Sequence, residues 1–300
     1  MASANSNISI AEQHNMERAA QQRVARHRRA ALGRIAIYVV LFGWLLFNIM
    51  PFLWIVSTSF KQVREAFAFP PVIFFQPNID AYRSLFTEAR FGQFFVNSLI
   101  VTTGTVTISL FVGCLAGYAL ARYPGRIGFV ILALALVFRS LPRISFLMPA
   151  FTFARLTGLY DTRILLILVL VAINQPFTIW MLRSFFADIP VEIEEAAMMD
   201  GCSRVRAFTS VIMPLMLPGV VTTGLFSLLL AYNEYLIPAI LTTSKAATLP
   251  VAIASIGSDD PYYAIVRAAG SVTIALPIVA VVLLMQKYLV RGLTFGAVKG

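Results

Sequence analysis

The chain has 300 residues, of which 59% are hydrophobic and only 13% charged, with a formal net charge of +10. Soluble domains carry about 25% charged residues, so this composition excludes a fully water-facing surface and points to lipid as the solvent for most of the chain. The positive charge does not indicate a nucleic-acid partner, because Lys and Arg are spread over short polar stretches with no basic–aromatic platform.

In chain order, residues 1–33 form a polar tail with no hydrophobic period, expected to be disordered. Arg23, Arg26, Arg28, Arg29 and Arg34 cluster just before the first apolar stretch. Such a cluster holds an N-terminus on the cytoplasmic side and suits contact with anionic membrane lipid. Apolar stretches follow at 34–56, 94–120, 127–149, 164–182, 215–241 and 269–289. Each is close to the roughly 20 residues that a helix needs to cross the hydrocarbon, and none alternates as a barrel strand does. The first is no signal peptide, since it lies behind the long polar tail and lacks a small-residue cleavage site. The expected fold class is an all-α membrane protein with six transmembrane helices and both termini cytoplasmic. Its divisions are the tail (1–33), a first span with an extracytoplasmic loop (34–93), a five-helix core (94–289) and a C-terminal tail (290–300). Cys114 falls inside the second span and Cys202 in a cytoplasmic loop, at different membrane depths, so no disulfide is expected between them.

Enzymatic chemistry has little to work with. Both histidines, His14 and His27, sit in the polar tail, so no span offers a metal site or a serine–histidine pair. No Gly-x-x-x-x-Gly-Lys-Ser/Thr phosphate loop occurs, so any ATP would be bound by another chain. No cofactor and no metal is expected. Glu234 is the one acidic residue placed within a span, and no span centre is expected to contain Arg or Lys. That pattern argues against an ion-coupled pump and against an anionic ligand.

The loop at 188–213 is the most informative segment. Asp188 is a candidate N-cap, and Pro190 fits a first helical turn. Glu192, Glu194 and Glu195 lie near the positive end of the helix dipole. The helix is expected to stop at Gly201, suited to a left-handed cap. Ser203 then caps a second short helix with Val205, Phe208 and Ile212 on one face, and Pro214 begins the fifth span. Ala196 and Ala197 would let another protein approach closely. The spacing alone fits a membrane-surface connector equally well.

Glu195-Ala196-Ala197, then three residues, Gly201, nine residues and Val211-Ile212-Met213-Pro214 resembles the EAA motif of ABC importer permeases. Val211 and Met213 are mild departures from its closing Ile-x-Leu-Pro. Phe95-Val-Asn-Ser-Leu-Ile, Gly117-Tyr-Ala-Leu-Ala-Arg-Tyr-Pro-Gly, Pro176-Phe-Thr-Ile-Trp-Met-Leu-Arg-Ser-Phe-Phe, Tyr232-Asn-Glu-Tyr and the tail Arg291-Gly-Leu-Thr-Phe-Gly-Ala-Val-Lys-Gly are similar to the carbohydrate subgroup, the smaller maltose-permease type. The resemblance runs from about residue 35 to the end. It implies a type I importer assembled from this chain, a second homologous permease chain, an ATPase dimer and an extracytoplasmic solute-binding protein, carrying a sugar or polyol. It implies that Glu194, Glu195, Ala196, Ala197, Asp200, Gly201 and Pro214 form the ATPase-coupling element. Gly292, Thr294, Gly296 and Lys299 would contact the ATPase pair from a tail expected to be too glycine-rich for a helix.

Polar residues within spans are the candidate pathway: Asn233, Glu234, Tyr232 and Tyr235 on the fifth, Asn174 on the fourth and Asn97 on the second. Amide, carboxylate and aromatic groups suit a hydroxyl-rich ligand. Helix–helix hydrogen bonding serves equally well as their role. A permease for another small solute, or an ATP-independent channel or secondary transporter, stays open as an alternative.

Overall fold

The computed structural model describes residues 33–87, 90–123, 125–257 and 260–295, with side chains as far as Tyr288. The polar tail 1–32, and with it the arginine cluster up to Arg29, lies outside the described residues, as do Gly296 and Lys299. Among those described, helices and turns occur and no strand does. Four helices are long and apolar enough to cross a membrane, and two bent pairs raise the number to six. This matches the expected fold class.

Residues 33–57 form one compact unit. They make up the body of helix α1 (Gly33–Ser59), whose apolar residues, Tyr38, Leu45 and Phe52 among them, are exposed on every side. A helix apolar all round is suited to lipid.

The second unit is built on α4 (Phe91–Arg122) and α7 (Arg163–Ala187), packed along their lengths. The reason is written in Gly113-Cys-Leu-Ala-Gly117, a small-xxx-small pattern that lets membrane helices approach at backbone distance. A Cβ at Gly117 would sit 2.9 Å from the Arg183 backbone nitrogen and 3.1 Å from Leu182 Cβ. Thr105 and Ser109 of α4 and Thr178 of α7 are fully buried, and so are Thr223 and Ser227 of α11 (Leu217–Tyr232), which packs on both helices. Small polar side chains thus replace bulky apolar ones where helices meet. α14 (Pro261–Phe295) packs on α11.

Two spans are broken, unlike the continuous helices expected at 127–149 and 215–241. The third consists of α5 (Arg126–Ser140) and α6 (Ile144–Thr157), meeting at 93°. Pro142 causes the break: it disfavours helical backbone at Leu141, which is extended with ψ 147°. The fifth span stops at Tyr232 and resumes in the short α12 (Leu236–Leu241). Pro238 cannot donate to the Glu234 carbonyl and its ring would collide with that group, so the helix restarts instead of continuing. The sixth span runs past the expected 269–289, from Pro261 to Phe295. The C-terminal tail expected to be non-helical therefore begins inside a helix that contains Gly292 and Thr294. One glycine costs an established helix only about 1 kcal/mol.

Between α1 and α4 the chain forms α2 (Val63–Ala66) and α3 (Asp80–Thr87). Ala81 and Leu85 of α3 are buried with Ile265, Val266 and Ala269 of α14, and Ser84 Oγ lies 2.6 Å from Tyr262 Oη. On the same side, α13 (Leu249–Ser255) follows a loop at 242–248. That loop wraps around one carboxylate. Asp161, in left-handed backbone at φ 57°, accepts from the amides of Thr243, Ser244, Lys245 and Ala246 and from the Thr243 hydroxyl at 2.7–3.3 Å. Partial burial pushes its pKa up, but the Thr243 hydroxyl and the backbone donors outweigh this and hold it at about 2, below its ordinary 3.8.

Two predictions follow from this packing. Gly117→Ala lowers the stability of the protein in detergent by about 1–3 kcal/mol, because backbone cannot yield to the added methyl. Gly92→Ala, which meets nothing within 4 Å, is neutral or slightly stabilising in the same thermal-unfolding measurement. A folded-state pKa depressed at Asp161 contributes stability that is complete above the unfolded value and lost as pH falls through the folded one. The difference in unfolding midpoint between the protein and Asp161→Asn should therefore be constant from pH 7 to about 4 and shrink toward pH 2.

Candidate functional site

The loop expected as a helix, a glycine turn and a second helix has that form. α8 (Val191–Met199) ends in a complete Schellman arrangement: Gly201, at φ +86°, donates to the Met198 carbonyl at 3.0 Å, and Cys202 donates to that of Ala197 at 3.1 Å. Ser203 caps α9 (Arg204–Ala207), its Oγ accepting from the Arg206 amide. A π-type turn, Phe208–Ile212, leads to α10 (Met213–Leu215), which contains Pro214, and a 72° bend precedes α11. Two expectations are corrected. Asp188 does not cap α8; it closes α7, donating its amide to the Ser184 carbonyl. Val205 is 73% exposed, whereas Ile212 is fully buried, so they do not share an inward face.

The adjacent glutamates of α8 point opposite ways. Glu194 is 6% exposed, one face with the buried Ala197, while Glu192, Glu195, Ala196, Met199 and Asp200 lie on the exposed side. Glu194 therefore faces inward, away from the exposed side of α8. Its carboxylate accepts from Tyr118 Oη and pairs with Arg122 Nε at 2.9 Å. The same guanidinium donates through Nη1 to the carbonyls of Phe186 and Ile189, at 3.2 and 3.1 Å. One arginine at the last turn of α4 thus ties together the end of α7, the connection to α8, and α8 itself. Beneath it, Tyr118, Phe186 and Phe208 pack edge and tilt with ring centroids 4.7–6.3 Å apart, and Leu182, Ile212 and Met216 fill the core below. The sequence offered a signal for this: Glu194 and Ala197 are three apart, hence on one helical face.

The span polar residues are not brought together into one site. Asn97 is fully buried; its Nδ2 donates to the Lys245 and Ala247 carbonyls at 2.9 and 2.8 Å, and its Oδ1 accepts from Arg163 Nε at 2.7 Å. It fastens the 242–248 loop to α4 and α7. Asn174 is buried, Tyr232 is buried with its hydroxyl donating to the Ile274 carbonyl, and Asn233 donates within its own helix to Leu229. Tyr235 is half exposed. Glu234 lies at the break of the fifth span, buried, accepting from the amides of Leu236 and Ile237 that open α12. It also pairs with Arg143, which lies at the break of the third span. The two interruptions are therefore joined by an ion pair.

Beside that pair is a cavity of about 170 Å³ lined by Phe138, Arg139, Arg143, Phe146 and Pro176, with α7 side chains Ala172 and Ile173. None of the pathway residues named from the sequence lines it. The third span, expected as an unbroken helix over 127–149, turns at Pro142, with Arg139 half-buried and Arg143 exposed beside the turn. Among the described residues there is no His, Cys, Asp and Glu cluster of metal-binding form.

Removing one partner of the Arg122–Glu194 pair leaves the other buried without a counter-charge. Arg122→Met is expected to cost about 3–5 kcal/mol of stability, and to raise hydrogen exchange across α8 more than across α14. Replacing both, Arg122→Met with Glu194→Leu, recovers part of the stability loss but not the protection of α8.

The chain matches the family model described as the binding-protein-dependent transport system inner membrane component over residues 109–295. It is 38% identical over 264 residues to the trehalose transport system permease protein SugB of Mycobacterium tuberculosis, covering 85% of this chain and 93% of that one. It is 36% identical over 251 residues to the probable ABC transporter permease protein y4oR of Sinorhizobium fredii, covering 84% and 90%. Its fold is that of a permease chain in the crystal structure of a bacterial ABC transporter involved in import of the acidic polysaccharide alginate, with a TM-score of 0.71, 24% identity, and 85% and 95% of the two chains covered. The broken spans, the anchored helix–turn–helix loop and these similarities lead to one conclusion: the chain belongs to the binding-protein-dependent transport system inner membrane components, the multi-pass permease subunits of ABC transporters.

Proposed function

We propose that this chain forms half of the translocation pathway of an ATP-driven importer for a sugar or polyol. It pairs with a second homologous permease chain, couples to a separate ATPase dimer through α8, and receives solute from an extracytoplasmic binding protein. ATP hydrolysis belongs to the ATPase, and both termini of this chain are cytoplasmic. The observation that carries the reading is the division of α8 into two faces. The inner face is fixed to the membrane core by Arg122, Tyr118 and Glu194. The outer face presents Glu192, Glu195, Ala196 and Met199, free to enter a groove on another protein. A helix held rigidly on one side and exposed on the other transmits displacement in either direction, as alternating access between two states requires. The sugar assignment draws on the trehalose permease relative. Gly292 and Thr294, in the last turn of α14, would extend the ATPase contact together with Gly296 and Lys299.

The test expresses the chain with its partner permease, ATPase and binding protein in lipid and measures ATP hydrolysis. Sugar-loaded binding protein is expected to stimulate hydrolysis. Glu195→Lys with Ala196→Leu, both on the exposed side of α8, reduces that stimulation at least ~10-fold, since loss of one well-placed charge contact is worth about that factor, while insertion and basal stability of the chain persist. Stimulation that survives the double change would reduce the loop to a connector.

A further inference from the structure

The cavity beside the two span breaks carries more positive than negative charge. Arg139 and Arg143 are four residues apart and both line it. Arg143 is paired with Glu234. Arg139 has no carboxylate partner among the described residues; its guanidinium lies 4.8 Å from the centroid of the Phe177 ring. The other elements facing the cavity bring no ionisable group: the stretch of α7 from Ala172 to Phe177 has none, and neither has α6 from Ile144 to Pro149. Two guanidiniums therefore face one carboxylate. An ionisable side chain retained within a membrane bundle marks a solute or ion path, and broken spans are where transporters place such sites.

Depth decides which kind of anion could reach these arginines. Ile173 stands ten residues into α7, about 15 Å along the helix from Arg163, which is about half the hydrocarbon thickness. A lipid phosphate stays at the headgroup level and does not reach it. A soluble anion travelling through the protein does. The walls are mixed in kind: Arg supplies a planar two-pronged donor that matches a carboxylate, and Phe138 and Phe146 supply apolar surface for the carbon face of a ring.

We propose that this cavity is an anion subsite of the translocation pathway, in which Arg139 takes the carboxylate of an acidic saccharide and Glu234 holds Arg143 in place beside it. The proposal rests on the sugar-permease reading and narrows its substrate class from neutral sugars to uronate-bearing ones. Glu234 is in this arrangement a positioning residue, and Arg139 a binding residue.

The test uses the intact complex, purified from its native membrane through a tag on this chain, without the binding protein, so that selectivity of the permease alone is read. Equilibrium binding is measured for trehalose and for a glucuronate-terminated disaccharide at equal ionic strength, with sodium sulfate as competitor. The acidic disaccharide is expected to bind ~10-fold more tightly than trehalose, the factor of one charge-assisted contact. Arg139→Gln should bring that ratio to about 1 by weakening binding of the acidic disaccharide, and Arg139→Lys should keep a ratio above 1. Equal binding of the two disaccharides by the unaltered complex, or a ratio that Arg139→Gln leaves unchanged, overturns the proposal and leaves the sugar reading standing. Sulfate that competes as well as the disaccharide acid makes the site one for small anions and overturns the saccharide assignment. Binding of neither disaccharide removes the sugar reading and this proposal with it.

Discussion

Helix α4 lies so close to α7 that a methyl group on Gly117 would press on the backbone of Arg183. That approach sets where the last turn of α4 ends, and so where the Arg122 guanidinium sits. From that position it reaches one carbonyl in the last turn of α7, one just beyond it and the carboxylate of Glu194 in one fan of hydrogen bonds. A side chain at position 117 large enough to part the helices would move all of these contacts at once. The position of the 188–213 loop therefore depends on a glycine at the contact of two long apolar helices.

Helix α7 takes part in two regions. Its C-terminal end carries the arginine-bound carbonyls beside α8, and its middle, at Ala172 to Pro176, forms one wall of the arginine-lined cavity. α8 is joined to α4 and to the end of α7 by short, buried, charge-assisted contacts. The aromatic trio of Tyr118, Phe186 and Phe208 gives that joint a stiff base. On the opposite side, Asp161 and Asn97 gather the 242–248 loop against α4 and α7. Both ends of α7 are thus clamped, and the interruptions at Leu141–Arg143 and Asn233–Tyr235 are tied to each other by the Arg143–Glu234 pair.

Six apolar stretches, the helix–glycine–helix loop and its serine cap were legible from hydropathy and capping chemistry. These depend on residue type within a few positions. The breaks in the third and fifth spans were not. Hydropathy averages over composition and is blind to a proline that removes one hydrogen bond; Pro142 and Pro238 were each outweighed by the leucines and isoleucines around them. Reading 127–149 as one rod also left out the corner at Pro142, beside which Arg139 and Arg143 line one cavity and Arg143 meets Glu234. The two adjacent glutamates of α8 illustrate a different limit. They are chemically identical in the sequence, and which one turns inward is decided by Arg122, 72 residues earlier. Asn97 and Asp161 failed for the same reason: both hold a loop that lies some 80 to 150 positions further along.

The broken third span also bears on how the protein is made. With 15 residues, α5 is about 22 Å long, short of the roughly 30 Å of hydrocarbon, and α6 turns away from it at 93°. Neither piece is an independent unit for lateral release from a translocation channel, and each carries an arginine near the turn. The polar corner between them is covered by α7, and Arg143 meets its carboxylate partner only when the chain has been made as far as Glu234, some 90 residues later.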